Sequence, residues 1–401
     1  MRPHPRSLKW LVPVLLVSGA CSTGAEPSAA PTPPVATDAP VAAATEAFPI
    51  GAFAEISEQS VSAEVAAEFQ TILNDMAGDA GMAATVTSPD GTWSGAAGTA
   101  DGVRAVQVDD QFFIASITKS VVAAQVMRMV EAGELSLDDL AADHLPADLD
   151  FDTNQATIRQ LLGQRSGIPD FLPVLWDSLS TDRQRRWTTA DVLDLAGDER
   201  SPVGETFRYA DTNYVLLGLI VEQVRGRPIA QVLRDGVLAV DGTERLVYQP
   251  DERPTEPMAM PDGESSAALE LGGGYIPSVA SVTAGGPAAA IASDSPSLAR
   301  WWRAFCAGEI VSPASLTEMT TLWSGPTHPS SLPLNGGYGL GLYNVAATYA
   351  QAVGHTGVDV GFAAWAGCVP ENGAVVVVLT NRLDEHIDGL ARPLVDALSS
   401  D

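Results

Sequence analysis

Two residues three positions apart, Ser116 and Lys119, are the pair in this chain best suited to covalent chemistry. A serine hydroxyl is a weak nucleophile until a neighbouring base takes its proton. A lysine amine can be pushed towards neutrality by burial and act as that base, whereas arginine stays protonated. Of the 22 basic side chains only Lys9 and Lys119 are lysines, so arginine supplies the ordinary positive charge and Lys119 stands apart. The bland alternative is a capping serine followed by a solvated lysine. The surroundings argue against it: Ile117, Val121, Val122, Ala123, Ala124, Val126, Met127, Met129 and Val130 leave no polar face, so the segment reads as a buried central helix. A helix starting near Ser116 puts the hydroxyl in the first turn, where free N–H groups favour a developing oxyanion, with Lys119 on the same face.

The elements around that helix follow from periodicity and punctuation. Helical spacing runs from Val61 to Met76 and stops at Gly78; Met82 to Ser88 and Thr92 to Thr99 flank Pro89-Asp90-Gly91 as a hairpin. Gln111 to Ile114 reads as a short strand leading into the Ser116 helix, which ends at Gly133, and Ser136 to Asp139 as a capping box. Helices are expected over Ile158–Gly163, Thr188–Ala196, Asn213–Val224 and Leu298–Phe305, with Arg183 to Arg186 on a solvated face and the glycines of Leu271 to Tyr275 in a turn. Strands return at Tyr338–Val345, Tyr349–Gly354, Gly361–Val369 and Ala374–Leu379, before a closing helix over Leu390–Leu398. Strands at both ends with helices between them predict an α+β fold, an antiparallel sheet built from both ends of the chain with a mostly helical insertion. The sheet part covers about 49–130 and 275–401, the helical part about 131–274.

The formal net charge of −28 disfavours nucleic acid and anionic lipid as partners. Arg2, Arg6 and Lys9, the apolar run Trp10 to Val17 and small residues up to Cys21 read as a secretory leader over 1–21, too short to span a membrane. Ser18-Gly19-Ala20-Cys21 is similar to a lipobox, with Cys21 as the lipidation site and Ser18 where a larger apolar residue is usual. Residues 22–48, rich in Ala, Pro and Thr, form a tether ahead of the domain at 49–401. The product is expected to be a monomer outside the cytoplasmic membrane, lipid-anchored or secreted. Cys306 and Cys368 are either bridged or two buried thiols, and neither has metal-ligand spacing, so no metal or cofactor is expected.

Two further stretches carry polar residues, Phe207-Arg208-Tyr209-Ala210-Asp211-Thr212-Asn213-Tyr214 and Gly354-His355-Thr356-Gly357. Together with Ser116 and Lys119 they resemble the three motifs of the serine penicillin-recognising superfamily, which includes D-alanyl-D-alanine carboxypeptidases, class C β-lactamases, esterases and D-aminopeptidases. The first is S-x-x-K, preceded here by Phe112-Phe113-Ile114-Ala115; the second is Y-x-N, here Tyr209-Ala210-Asp211; the third is K/H-T-G, here His355-Thr356-Gly357. Flanking phrases agree, among them Ile158-Arg159-Gln160-Leu161-Leu162 running into Ser166-Gly167-Ile168-Pro169-Asp170. The resemblance covers about 53–398 and implies a β-lactamase/transpeptidase-like fold.

The resemblance implies acyl transfer without a cofactor. Ser116 attacks a carbonyl, Lys119 and Tyr209 relay the proton, and the oxyanion sits between the N–H groups of Ser116 and Val358. His355, Thr356 and Gly357 line the substrate site, His355 and Thr356 helping to hold a substrate carboxylate. Three departures stand out: Asp211 for the usual Asn, Gln164-Arg165 before Ser166-Gly167, and Val358-Asp359-Val360 after the third motif. A carboxylate cannot donate to a substrate carbonyl and favours a charged Lys119, which argues most against a β-lactamase. The leading expectation is a D-alanyl-D-alanine carboxypeptidase-like hydrolase on peptidoglycan-type peptides, then an esterase or D-aminopeptidase. A class C-like β-lactamase and a non-catalytic wall-peptide-binding lipoprotein follow. A Ser-His-Asp hydrolase is disfavoured because no G-x-S-x-G elbow occurs.

Overall fold

The computed structural model describes residues 47–54, 57, 59–265, 267–331, 336–383 and 387–398; the expected leader, Cys21 and the tether up to residue 46 lie outside them. Helix α1 (Ala63–Ala77), opened by Ser62 accepting the Val65 N–H, precedes the hairpin of β1 (Met82–Ser88) and β2 (Gly91–Ala97). Strand β3 (Phe112–Phe113) leads through a 3-10 turn, Ala115–Ile117, into α2 (Thr118–Glu131). The insertion carries α3 (Ile158–Leu162), α4 (Asp211–Arg225) and β4 (Val247–Tyr248). Then come β5 (Ile291–Ser293), α5 (Ser295–Cys306), β6 (Tyr343–Asn344), β7 (Val353–Asp359), β8 (Phe362–Val369), β9 (Ala374–Thr380) and α6 (Arg392–Ala397).

The main sheet has the order β2-β1-β9-β8-β7-β6, every neighbouring pair antiparallel, so the two ends of the chain meet where β1 pairs with β9. At that seam the Gly81 N–H donates to Asn381 Oδ1 at 2.7 Å. Side chains of β9 alternate between two cores because a strand repeats every two residues. Val376 and Val378 pack with Phe69 and Leu73 of α1 and Leu394 of α6, while Val375, Val377 and Leu379 pack with Trp301, Trp302 and Phe305 of α5. Both faces are thus covered, which is why β1, β8 and β9 are buried along their whole lengths. Cys306, ending α5, is bridged to Cys368 on β8, which ties that helix to the sheet.

The α+β architecture matches the sequence pattern, with local differences. Tyr338–Val345 yields only the two residues of β6, because Gly337 and Gly341 take positive φ and turn the chain. The following strand is Val353–Asp359, displaced towards the third motif, because the Tyr349 and Ala350 N–H groups turn back onto Ala346 O. Ser136 and Asp139 exchange cap-like bonds, Ser136 N–H to Asp139 Oδ2 and Asp138 N–H to Ser136 Oγ, around a turn that starts no helix. Arg183 is not simply solvated: it makes two bonds to the Glu264 carboxylate and a third to Pro277 O. A second sheet, β3-β5-β4, draws β4 out of the expected helical part to brace the entry to α2.

The 62-residue span between the bridged cysteines sets the size of their contribution, since the crosslink removes loop entropy from the unfolded chain. Replacing both Cys306 and Cys368 by Ala is expected to lower unfolding free energy by about 2–4 kcal/mol, read from urea denaturation of the oxidised protein and the double variant.

Candidate active site

The turn that carries Ser116 is set by backbone strain and by one glycine. Ala115 has φ 45°, a left-handed conformation rare for a residue with a Cβ, and it breaks the helix so that α2 begins at Thr118 rather than at Ser116. Ser116 is left partly exposed at the turn while Lys119, one turn into the apolar core, has no exposed surface. Strand β7 runs directly against this turn. A Cβ built on Gly357 would lie 2.1 Å from Ile114 O and 3.1 Å from Ser116 N, so only glycine permits the approach.

Two hydrogen-bond acceptors and a carboxylate surround the Lys119 amine: Ser116 Oγ at 2.9 Å, Ala288 O at 3.0 Å and Asp211 Oδ1 at 2.6 Å. The last is an ion pair between side chains that are both buried. Asp211 reaches it from the first turn of α4, which starts there and not at Asn213, because the Asp170 carboxylate takes the Asp211 N–H at 3.0 Å. That cap comes from 41 residues away and has no local sequence signal. The Tyr209 ring stands 4.8 Å from Lys119 Nζ. Burial and then the Asp211 charge push its phenol well above the usual tyrosine range, against a hydrogen bond from Ser116, so the phenol keeps its proton in the free protein.

The third-motif residues behave differently from expectation. His355 is buried, and desolvation followed by the Lys119 charge pushes its imidazole down to about 3. Its Nδ1 faces Thr356 O at 2.5 Å and must carry the hydrogen, because a carbonyl only accepts; Nε2 then accepts from Tyr338 Oη at 3.2 Å. The ring is packed against Tyr209, Tyr338 and Tyr343. Thr356 points to the opposite face of β7, where its hydroxyl is bonded to Tyr343 Oη at 2.6 Å. In the free chain the imidazole is thus neutral and engaged at both nitrogens, and the Thr356 hydroxyl is engaged by Tyr343.

Two acids that motif reasoning left outside the site adjoin it. Asp359 shares the face of β7 with His355 and Gly357, and burial, reinforced by Asp211, pushes its carboxyl up to about 7. Asp170 is pushed up to about 7 by desolvation and then by Asp211. For Asp170 the signal was the Ser166-Gly167-Ile168-Pro169-Asp170 phrase; for Asp359 it was the departure Val358-Asp359-Val360 after the third motif.

Residues 69–399 match the family model described as Beta-lactamase. The chain belongs to the β-lactamase family. Members of that family are serine hydrolases. Among curated relatives, Penicillin-binding protein 4 of Amycolatopsis lactamdurans is 30% identical over 296 residues, 69% of this chain and 74% of that protein. Protein flp of Staphylococcus aureus (strain MW2) is 29% identical over 128 residues, so the match spans only a quarter, 25%, of its length and 31% of this chain. In three dimensions the D-amino acid amidase of Ochrobactrum anthropi SV3, complexed with D-phenylalanine, superposes with a TM-score of 0.71 at 23% identity, covering 84% of this chain and all of that one, a likeness of fold.

Within this β-lactamase-family framework the close approach of β7 yields one expectation. Gly357→Ala should push the strand off the Ser116 turn and slow acylation of Ser116 by about a hundredfold or more, the scale of losing an oxyanion donor; stopped-flow with an acylating ester reads it. The raised carboxyl of Asp359 yields another. The folded state keeps a proton that the unfolded chain has released above its ordinary value near 3.8, so this residue costs stability as pH rises towards and through 7. Asp359→Asn removes that cost. Relative to wild type, the variant should gain on the order of 2 kcal/mol between pH 5 and pH 8, measured by urea denaturation at both values.

Proposed function

We propose that this chain is an exported serine hydrolase that forms an acyl-enzyme on Ser116. The observation that carries the reading is the 2.9 Å contact between Lys119 Nζ and Ser116 Oγ, on the turn against which Gly357 of β7 is packed. Ser116 Oγ bonds to the substrate carbonyl carbon as its hydroxyl proton passes to Lys119 Nζ, which hands one of its own protons to the Asp211 carboxylate on its far side, with the Tyr209 phenol on the near side. The carbonyl electrons move onto oxygen between the N–H groups of Ser116 and Val358. Collapse breaks the bond to the leaving amine or alcohol, which takes the proton, and water then hydrolyses the ester on Ser116. In this reading the leader directs export, and Cys21 with its tether holds a monomer outside the cytoplasmic membrane.

A D-alanyl-D-alanine carboxypeptidase-like action on peptidoglycan-type peptides is supported by the 30% identity to a penicillin-binding protein over most of both chains. One observation favours a second reading, an esterase or D-aminopeptidase on the same site. A carboxypeptidase needs positive charge for the terminal carboxylate, yet His355 is held neutral and Lys119 is already paired with Asp211, with Asp170 and Asp359 nearby.

Intact mass after mixing with benzylpenicillin tests the first step. The wild type should carry one adduct that Ser116→Ala lacks; an adduct of equal extent on both would remove Ser116 from the role. Turnover of a D-Ala-D-Ala peptide beside its C-terminal amide and an aryl ester separates the readings. Preference for the free acid by about tenfold or more supports the carboxypeptidase, and faster turnover of the amide or ester supports the second reading.

A further inference from the structure

The segment that bears Tyr209 and Asp211 is gripped by a loop that no motif covers. Gln164, buried and at φ 57°, takes the Arg208 N–H on its backbone carbonyl at 2.8 Å. Its side-chain Oε1 takes the Ala210 N–H at 3.1 Å and Asn213 Nδ2 at 2.5 Å. The orientation of this amide is fixed, because a backbone N–H can only donate. Asn213 must therefore present Nδ2 to Gln164 and Oδ1 to Ser166 Oγ, 2.6 Å away, and Ser166 in turn accepts the Ile168 N–H at 3.1 Å. The chain of bonds has one solution. It clamps residues 208, 210 and 213 on both sides of Tyr209 and Asp211, while Gln164 itself touches neither Ser116 nor Lys119 in any hydrogen bond of the described residues.

The left-handed backbone at Gln164 fits this demand. A residue whose backbone is held in a sparsely populated conformation persists where its surroundings require it, and here one residue serves the segment with both its carbonyls. Gln164 Nε2 has no hydrogen-bond partner among the described residues, so the side chain is retained for its oxygen, at the cost of a buried donor.

We propose that Gln164 is a positioning residue for acylation, setting Tyr209 and Asp211 against Ser116 and Lys119. The effect on acylation rests on the reading of Ser116 as nucleophile; the effect on geometry does not. Two variants separate the oxygen from mere volume. Gln164→Met keeps the length and loses the acceptor, whereas Gln164→Glu, held protonated by burial, keeps an accepting oxygen. The first readout is the rate of benzylpenicillin adduct formation. The second, independent of activity, is the 13Cε resonance of Lys119 in lysine-labelled full-length chain, assigned by its loss in Lys119→Arg.

Gln164→Met is expected to slow acylation about ten- to a hundredfold and to shift the Lys119 resonance, while Gln164→Glu keeps most of the rate and the wild-type shift. Wild-type rate and resonance in Gln164→Met overturn the proposal, as does an equal loss in both variants that tracks only their melting temperatures. If the wild type itself forms no adduct, the nucleophile reading fails, and the resonance still decides the role of Gln164.

Discussion

A lysine amine with no exposed surface must be neutralised where it lies, and the Lys119 to Asp211 ion pair is the constraint on which the rest of this structure turns. Removing either partner would strand a buried charge, at a cost of several kcal/mol. The pair sits at the start of α4, where Asp170 takes the Asp211 N–H; burial, reinforced by the Asp211 charge and opposed by that of Lys119, pushes Asp170 and Asp359 up towards neutrality. It also fixes the direction of the amine towards Ser116 Oγ. Acidic side chains at the end of β7 and in the insertion are thus coupled through the Asp211 carboxylate.

The sheet supplies rigidity for that arrangement. Gly357 can approach Ser116 only because β7 is held by β8, and β8 is held in turn by β9 and by the bridge to α5. The aromatic wall of Tyr209, Tyr338 and Tyr343 around His355 makes the third motif a packing element as much as a polar one. An imidazole kept neutral there leaves Lys119 as the positive charge beside Ser116, already matched by Asp211.

Much of this was legible in the sequence because it is written in local periods. The hairpin at Pro89-Asp90-Gly91, the apolar helix after Ser116 and the C-terminal strands follow from spacing and turn residues, and the antiparallel sheet from their placement at both ends. The three motifs brought Ser116, Lys119, Tyr209, Asp211 and Gly357 to notice, and the fold gathers them in one place. What could not be read depends on contacts between distant segments. The cap on α4 comes from Asp170, the grip on Ala210 from Gln164, and the neutrality of His355 from burial among tyrosines. The 3-10 turn at Ser116 likewise reflects the φ of Ala115, which residue type alone does not announce.

The bond between Gly81 and Asn381 joins residues 300 positions apart in the chain. Ser116 and Lys119 are synthesised long before the strand that must lie against them, and β1, paired at once with β2, gains its second neighbour only when β9 has emerged. Contacts of such sequence separation form late in folding, after the loop entropy between them has been overcome. A chain threaded through a membrane from its N-terminus would therefore carry Ser116 and Lys119 across with no β7 beside them. The site would be assembled only once the last strands had arrived on the far side.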